Sequence, residues 1–247
     1  ISCRNHARFL KFAAESCLQQ TQPPDELILI NDSSTDTSLR EMESIKSEYQ
    51  NQNVIIVNHE KRIGHIAAYN EGISLCKNEL IHLMAADDRL CYPEFYSVAS
   101  HLLENPNIGF VTGRLTGIDA TGNIIGGSVV GPPLHERQPS YKWLEALYRY
   151  GNFICGGAVI VRKKLQEEAG PYEARLPFSA DFMNWIKILA RCNSAFSIPK
   201  VVYQYRKHYG QMTSHASAPQ EERVICREAL GAVINQLQGE KDAKGEE

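Results

Sequence analysis

The sequence lacks three features that would set its class at once: a long apolar run, paired cysteine motifs and an excess of positive charge. No uninterrupted apolar stretch approaches the ~18–20 residues that cross a membrane. The net charge of −3 disfavours nucleic acid as the main partner. The seven cysteines are scattered, odd in number and never spaced as CxxC, which predicts reduced thiols in a cytoplasmic protein without a structural zinc site.

Internal repeats and low-complexity linkers are also missing, so the 247 residues suit one large α/β domain or two small ones. In the first hundred residues, apolar runs of strand length alternate with helical patterns. Strands are predicted at 26–30, 53–57 and 79–84, and helices at 6–20, 37–48, 64–76 and 93–104. This alternation predicts a parallel, doubly wound sheet.

The pattern changes after residue 108 to β-rich segments around a T-G-N turn, which predicts antiparallel strands. Later helices are predicted at 139–149, 180–191 and 221–237, and strands around 157–162 and 197–205. The final GEKDAKGEE is expected to be a solvated tail, because it has nothing to bury.

Two polar clusters, NDSSTD (31–36) and AADD (85–88), follow predicted strands. Ligands of such sheets bind outside the carboxyl ends of the strands, so we expect the clusters to lie near each other. Asp87 and Asp88 could bridge Mg²⁺ or Mn²⁺ to a diphosphate, since these cations prefer oxygen ligands. The alternative is an ordinary polar turn, which two adjacent acids alone favour by roughly two to one.

Asp32 could accept a hydrogen bond from a nucleobase or ribose, or it could belong to the cap of the next helix. Arg62 precedes a helix flanked by Gly64 and Gly72, and could meet a phosphate or a base. Asn70 is a polar group in the apolar context of that helix. The alternative for this segment is surface charge and a helix start.

Asp181 stands at the start of a predicted helix, where an acid can act as a general base or interact with the helix dipole. Arg206, Lys207 and His208 follow a predicted strand. They form either an exposed charged loop or a lid that neutralises a leaving diphosphate.

In their order and spacing, these motifs resemble the family-two inverting glycosyltransferases with a GT-A fold, over essentially the whole chain. CRNHARFL through LILINDSSTD is similar to the opening of that family, and GHIAAYNEGI to its glycine, alanine and asparagine helix. LMAADDRL stands where the family carries a metal-binding Asp-x-Asp-Asp. The segment from GNFICGGAVIV onward resembles the acceptor-side half, and YQYRKH its tyrosine-arginine-x-histidine segment.

The resemblance implies an α/β fold of GT-A type, with a Rossmann-like, mostly parallel sheet flanked by helices and a smaller antiparallel acceptor-side part. It divides this single domain into a nucleotide-sugar-binding half (1–110), an acceptor-binding and catalytic half (111–215), and a C-terminal helix with a charged tail (216–247).

The resemblance also implies roles for individual residues. Asp181 would be the catalytic base, and Asp87 and Asp88 would hold a divalent cation, Mn²⁺ or Mg²⁺. The implied substrate-binding residues are Arg4, Asp32, Arg62, Gly64, Asn70, Asp87, Arg206 and His208. This chain departs from the family pattern with Ala85 at the first carboxylate, Ala180 before the base, Arg4 at an aromatic position and Asn31 at an acid.

The implied reaction transfers a sugar, with inversion, from a nucleotide diphosphate donor such as a UDP-sugar to a hydroxyl of a glycan or lipid-linked acceptor. It would serve cell-surface polysaccharide or glycoconjugate synthesis in the cytoplasm, with peripheral association at the inner membrane face left open.

Two alternatives remain at this stage. A nucleotidyltransferase should carry a glycine- and basic-rich loop after its first strand, which SCRNHARF lacks. A sugar-nucleotide-binding module of low activity is suggested by Ala85 and Ala180.

Overall fold

A computed structural model describes residues 1–129, 134, 136–211 and 218–244 of the chain. The strands are β1 (Ser2–Cys3), β2 (Leu27–Asp32), β3 (Val54–His59), β4 (Leu80–His82), β5 (Arg89–Leu90), β6 (Ile108–Ile118), β7 (Ile124–Val129), β8 (Glu136–Pro139), β9 (Val159–Arg162) and β10 (Ser194–Arg206). The helices are α1 (Ala7–Leu18), α2 (Ser38–Glu48), α3 (His65–Leu75), α4 (Phe95–Leu103), α5 (Ser140–Tyr150), α6 (Lys163–Ala169), α7 (Ala180–Leu189) and α8 (Gln220–Lys244).

The first sheet is parallel, in the order β1-β2-β3. All six residues of β2 are buried, because strands pair on both of its edges and side chains cover both of its faces. This explains why the sequence of β2 is an unbroken apolar run that ends at Asn31 and Asp32.

The second sheet is mixed, with the order β4-β9-β6-β10-β5, β7 beside β6 and β8 beside β10. Its central pair, β6 and β10, is parallel, and its other pairs are antiparallel. A parallel bridge between Ser2 and Ala85 connects β1 to the segment after β4. The α/β prediction is confirmed, and the β6–β7 hairpin is the predicted antiparallel segment.

The third predicted strand differs from the expectation of a continuous parallel sheet. It is shorter, and it pairs antiparallel with β9 instead of lying in the first sheet. Residues 83–86 leave β9 and turn toward β1, where Ser2 accepts a hydrogen bond from the N–H of Ala86. The acids that follow therefore lie between the two sheets.

The last predicted helix, 221–237, is longer in the structure, where α8 spans Gln220–Lys244, and the solvation of the predicted tail from residue 239 stays a prediction. Glu, Lys and Ala favour helix, and adding a residue to an existing helix avoids the cost of nucleation. Residues 245–247 of the predicted tail lie outside the described residues.

Apolar side chains of α1, α2 and α4 pack on one part of the sheets, and those of α5, α7 and α8 on another. Among the residues that the structure describes, no helix combines the length and the apolar character needed to cross a membrane.

Candidate active site

The turn after β1 is shaped by Asn5, whose φ of +57° lies in the left-handed region that Asn tolerates better than most residues. Its side-chain oxygen accepts a 2.7 Å hydrogen bond from the N–H of Thr35, and its own N–H donates to the hydroxyl of Ser34. The turns after β1 and β2 are thus held together. Because the chain reverses at Asn5, His6 lies at the start of α1 and faces Asp87.

Asp32 lies buried at the end of β2. One carboxylate oxygen accepts the N–H of Ile63 at 2.6 Å, and the other accepts the N–H of Gly64 at 3.0 Å. Gly64 has φ +88°, which glycine adopts without strain. Asp32 therefore holds the turn before α3, and its contact with a nucleobase stays a prediction. Asp36, and not Asp32, accepts the first N–H of α2.

Asp87 is buried where the segment after β4 meets the end of β10. Its Oδ2 lies 2.9 Å from Nε2 of His208 and 4.0 Å from Nε2 of His6. These ligand atoms of His6, Asp87 and His208 all lie within 4.8 Å of one another. The structure thus brings two predicted site residues, Asp87 and His208, into direct contact and adds a second imidazole to them.

Asp88 faces β10 instead. One of its oxygens accepts the hydroxyl of Tyr203 and the other accepts the N–H of Arg206, both at 2.7 Å. Burial raises the pKa of Asp88, and the charge of Asp87 raises it further. In the described part of the chain, the cluster of metal-ligand atoms contains Asp87 but not Asp88. The metal role of Asp88 stays a prediction, and this geometry gives it no support.

Arg206 is buried and bonds to the backbone around the acids. Its Nε donates to the carbonyl of Asp87 at 2.7 Å, and its Nη1 donates to the carbonyl of Asp119 at 3.1 Å. The guanidinium also lies over the ring of Phe9, 4.6 Å from the centroid. Arg206 thus holds the loop of Asp87 in place, and its predicted contact with a diphosphate stays a prediction.

Asp181 lies in the first turn of α7. One oxygen accepts the N–H of Phe182 at 2.7 Å, and the other accepts the side-chain amide of Asn152 at 3.0 Å. Burial raises the pKa of Asp181 to about 6, although both hydrogen bonds oppose this rise. A carboxylate that titrates near 6 is ionised at neutral pH and accepts a proton more readily than an ordinary Asp.

Acids from distant parts of the chain act electrostatically on the same two side chains. The charges of Asp87, Asp88 and Asp181 all contribute to raising the pKa of the Tyr69 hydroxyl, for which burial is the main cause. Burial raises the pKa of the Cys155 thiol to about 12, with contributions from Asp88 and Asp181. Tyr69 on α3 and Cys155 before β9 therefore lie within electrostatic range of acids from both halves.

Helix α3 also joins the two halves through hydrogen bonds. The side chain of Asn70 donates to the carbonyl of Tyr172 at 2.9 Å and accepts its N–H at 2.8 Å. Nε2 of His65 lies 3.1 Å from the carbonyl of Pro177. Asn70 is thus engaged with the backbone of Tyr172 in the second half of the chain, and its predicted contact with substrate stays a prediction.

Two predicted basic residues lie at the edge of this region. Nη1 of Arg4 donates to the carbonyls of Asp32 and Ser33, at 3.1 and 3.3 Å, and so supports the turn after β2. Arg62 is exposed beside Gly64. Their contacts with a donor stay predictions.

Sequence reasoning missed four residues of the site: His6, Tyr69, Asn152 and Tyr203. His6 and Asn152 stand in quoted motifs, but neither contact with an acid has a local signal, because Asp87 and Asp181 lie far away in the chain. Tyr203 and Tyr69 have apolar patterns that predict only burial.

A cavity of about 380 Å³ is lined by Ile1, by residues of β2 and β4, and by Tyr69 of α3. The acids Asp32, Asp87 and Asp181 are not among its lining residues, so the cavity is distinct from the candidate site.

Comparisons with known proteins identify the family and the fold of the chain. The family model described as glycosyl transferase family 2 matches residues 1–168. An uncharacterised glycosyltransferase of Haemophilus influenzae is 24% identical over 243 residues, covering 94% of this chain and 72% of the relative. The amylovoran biosynthesis glycosyltransferase AmsE of Erwinia amylovora is 25% identical over 199 residues, covering 80% and 70%.

Solved structures share the fold at low sequence identity. TarS of S. aureus (residues 1–349, in complex with UDP-GlcNAc) has a TM-score of 0.74 at 17% identity, covering 94% of this chain, which spans 64% of that chain. The mannosyltransferase PcManGT of Pyrobaculum calidifontis, in complex with GDP-Man and Mn²⁺, has a TM-score of 0.64 at 14% identity, covering 96% and 73%. The GT-A fold prediction is confirmed. Since the family model covers more than half of the residues, the chain belongs to glycosyl transferase family 2.

Proposed function

We propose that this glycosyltransferase transfers a sugar from a nucleotide diphosphate donor to a hydroxyl acceptor, with inversion at the anomeric carbon. The observation that carries the proposal is the partly buried carboxylate of Asp181, which has a raised pKa and, like Asp87, lies within electrostatic range of Tyr69. One part of the proposed site supplies a cation-binding cluster and another part supplies a base. A module that only bound the nucleotide sugar would not require a base in addition to the cation.

In the proposed step, the acceptor oxygen attacks the anomeric carbon from the face opposite the diphosphate. The bond from that carbon to the diphosphate oxygen breaks, and the acceptor proton passes to Asp181. A single displacement of this kind inverts the anomeric centre. The hydrogen bond from Asn152 orients the carboxylate, and burial keeps its basicity above that of an exposed Asp.

The residues around Asp87 fit a divalent cation, because a carboxylate oxygen and imidazole nitrogens converge there. Asp87 and His208 would hold the ion, and Arg206 fixes the backbone of Asp87. When bound, the cation supplies positive charge for the leaving diphosphate. The proposed ion is Mn²⁺ or Mg²⁺.

UDP is the first donor nucleotide to test, because the structural neighbour with the TM-score of 0.74 has UDP-GlcNAc bound. GDP is the second, because GDP-Man is bound to the mannosyltransferase neighbour. The similarity to AmsE, a glycosyltransferase of amylovoran biosynthesis, supports a glycan acceptor and a function in polysaccharide synthesis.

The test is nucleotide release from a panel of UDP- and GDP-sugars, with and without Mn²⁺ and with candidate glycan acceptors. We expect metal-dependent release from at least one donor, lost in Asp181→Asn while donor binding persists. Donor binding without release in the wild-type protein would favour a sugar-nucleotide-binding module and contradict the proposal.

A further inference from the structure

Three parts of the chain that lie far apart in sequence supply ligand atoms to one point. His6 comes from the start of α1, Asp87 from the segment after β4, and His208 from the segment after β10. Metal bonds of about 2.0–2.2 Å place neighbouring ligand atoms about 3–4 Å apart. The distances from Asp87 Oδ2 to the two imidazole nitrogens, 2.9 and 4.0 Å, lie close to the limits of this range, and all ligand atoms of the cluster lie within 4.8 Å of one another.

Packing holds both imidazoles in place. The rings of His6 and His208 meet edge to face, with centroids 5.3 Å apart, and Phe9 lies 4.9 Å from the ring of His208. The guanidinium of Arg8 lies 3.5 Å from Nδ1 of His208, which favours the ring proton on Nε2, facing Asp87. A cation bound to Nε2 replaces this proton.

His6 lies close to the segment in which the family pattern has its first carboxylate, at residue 85. The backbone of Ala85 forms a parallel bridge with Ser2, so β1 lies alongside the residue where the family pattern has its first carboxylate. The turn at Asn5 then brings His6 back to the same strand end. The chain thus has an imidazole 4.0 Å from Asp87 and no acid at residue 85.

We propose that His6 is a third protein ligand of the cation, and that the set of two imidazoles and one carboxylate selects a transition-metal ion such as Mn²⁺ or Co²⁺ over Mg²⁺. Imidazole nitrogen suits first-row transition metals, whereas Mg²⁺ prefers oxygen ligands and keeps much of its water. This inference rests on the proposed cation site of the glycosyltransferase and specifies its chemistry.

The experiment titrates the protein with MnCl₂, CoCl₂ and MgCl₂ alone by calorimetry, and records pulsed EPR spectra of bound Mn²⁺. The wild-type protein should bind Mn²⁺ and Co²⁺ more tightly than Mg²⁺, and the spectra should contain couplings from two imidazole nitrogens. Replacing a residue that supports a metal ligand typically lowers the metal affinity 10–100-fold. Because His6 is proposed to be a ligand itself, His6→Ala should lower the affinities for Mn²⁺ and Co²⁺ by about this factor or more. Its spectra should contain one imidazole coupling.

His6→Asp should shift the preference toward Mg²⁺, because it exchanges a nitrogen ligand for oxygen. His101→Ala is the matched control, since His101 is an exposed imidazole on α4 that pairs with Glu104. It should bind all three ions as the wild type does. Thermal unfolding of each variant establishes that it is folded.

Wild-type Mn²⁺ affinity and two imidazole couplings in folded His6→Ala would overturn the assignment of His6. Asp87→Asn separates this failure from a failure of the proposed function. If Asp87→Asn loses Mn²⁺ binding while His6→Ala keeps it, only the role of His6 is wrong. If both variants bind Mn²⁺ normally, the cation site itself is wrong.

Discussion

Replacing Asp181 with Asn removes the proposed base and keeps the size of the side chain. A positioned general base typically contributes about 10²–10⁴-fold to the rate, so we expect kcat to fall by this factor. The Kd for the donor nucleotide should change little, because the proposed role of Asp181 is toward the acceptor. The assay is nucleotide release at saturating donor, together with calorimetric binding of the nucleotide. Asp25→Asn, which changes an exposed acid two residues before β2, is the control for loss of one negative charge.

The raised pKa makes a second part of this prediction quantitative. With a pKa of about 6, Asp181 is ionised in about 97% of molecules at pH 7.5 and in about 9% at pH 5. The base must be ionised to act, so kcat/KM should fall about tenfold over this range. The Asn152 hydrogen bond lowers this pKa, so Asn152→Ala should move the acid limb to higher pH. Turnover near the wild-type rate in Asp181→Asn would refute the assignment of the base.

Three further predictions concern the contacts that build the site. Asp32→Ala leaves two backbone N–H groups of the turn before α3 without their acceptor, so the free energy of unfolding should fall by about 1–3 kcal/mol in urea denaturation. Asn70→Ala breaks both hydrogen bonds with the backbone of Tyr172, so the free energy of unfolding should fall by a similar amount. Hydrogen exchange at the N–H of Tyr172 should become faster. Gly157→Ala places a methyl group into the ring of buried Tyr203, so it should lower the free energy of unfolding by about 1–3 kcal/mol or more, measured by thermal unfolding.

Gly231→Ala is the control for Gly157→Ala, because it makes the same change where there is space for a methyl group. Gly231→Ala in α8 adds a methyl group where no atom lies within 4 Å, and should be neutral or stabilising. Wild-type stability in Asp32→Ala would mean that its hydrogen bonds to the turn contribute little. Unchanged exchange at Tyr172 in Asn70→Ala would contradict the link between the halves.

Much of the secondary structure could be predicted because its signals are local. The fully buried run of β2 and the apolar stripe of α1 each report burial through neighbouring residues. The pairing of β4 could not be predicted in this way, because its partner β9 lies about eighty residues later. The short strand β5 was missed, since two residues form no pattern.

In the candidate site, too, some residues could be predicted from local sequence, whereas their contacts could not. Asp32 and Asp87 could be predicted as site residues, because they follow apolar runs of strand length and ligands bind outside the carboxyl ends of such strands. Their bonding partners depend on tertiary structure: Asp32 binds the turn before α3, and Asp88 binds Tyr203. Arg206 belonged to a basic segment in the sequence, but the fold turns its guanidinium onto backbone carbonyls.

The most direct test of the central claim is a crystal structure of the protein with UDP and Mn²⁺, with anomalous diffraction measured at the manganese absorption edge. The account predicts an anomalous peak beside Asp87 and His208, in contact with the diphosphate, and the carboxylate of Asp181 across the same cleft. A manganese peak and nucleotide density elsewhere on the protein would contradict it.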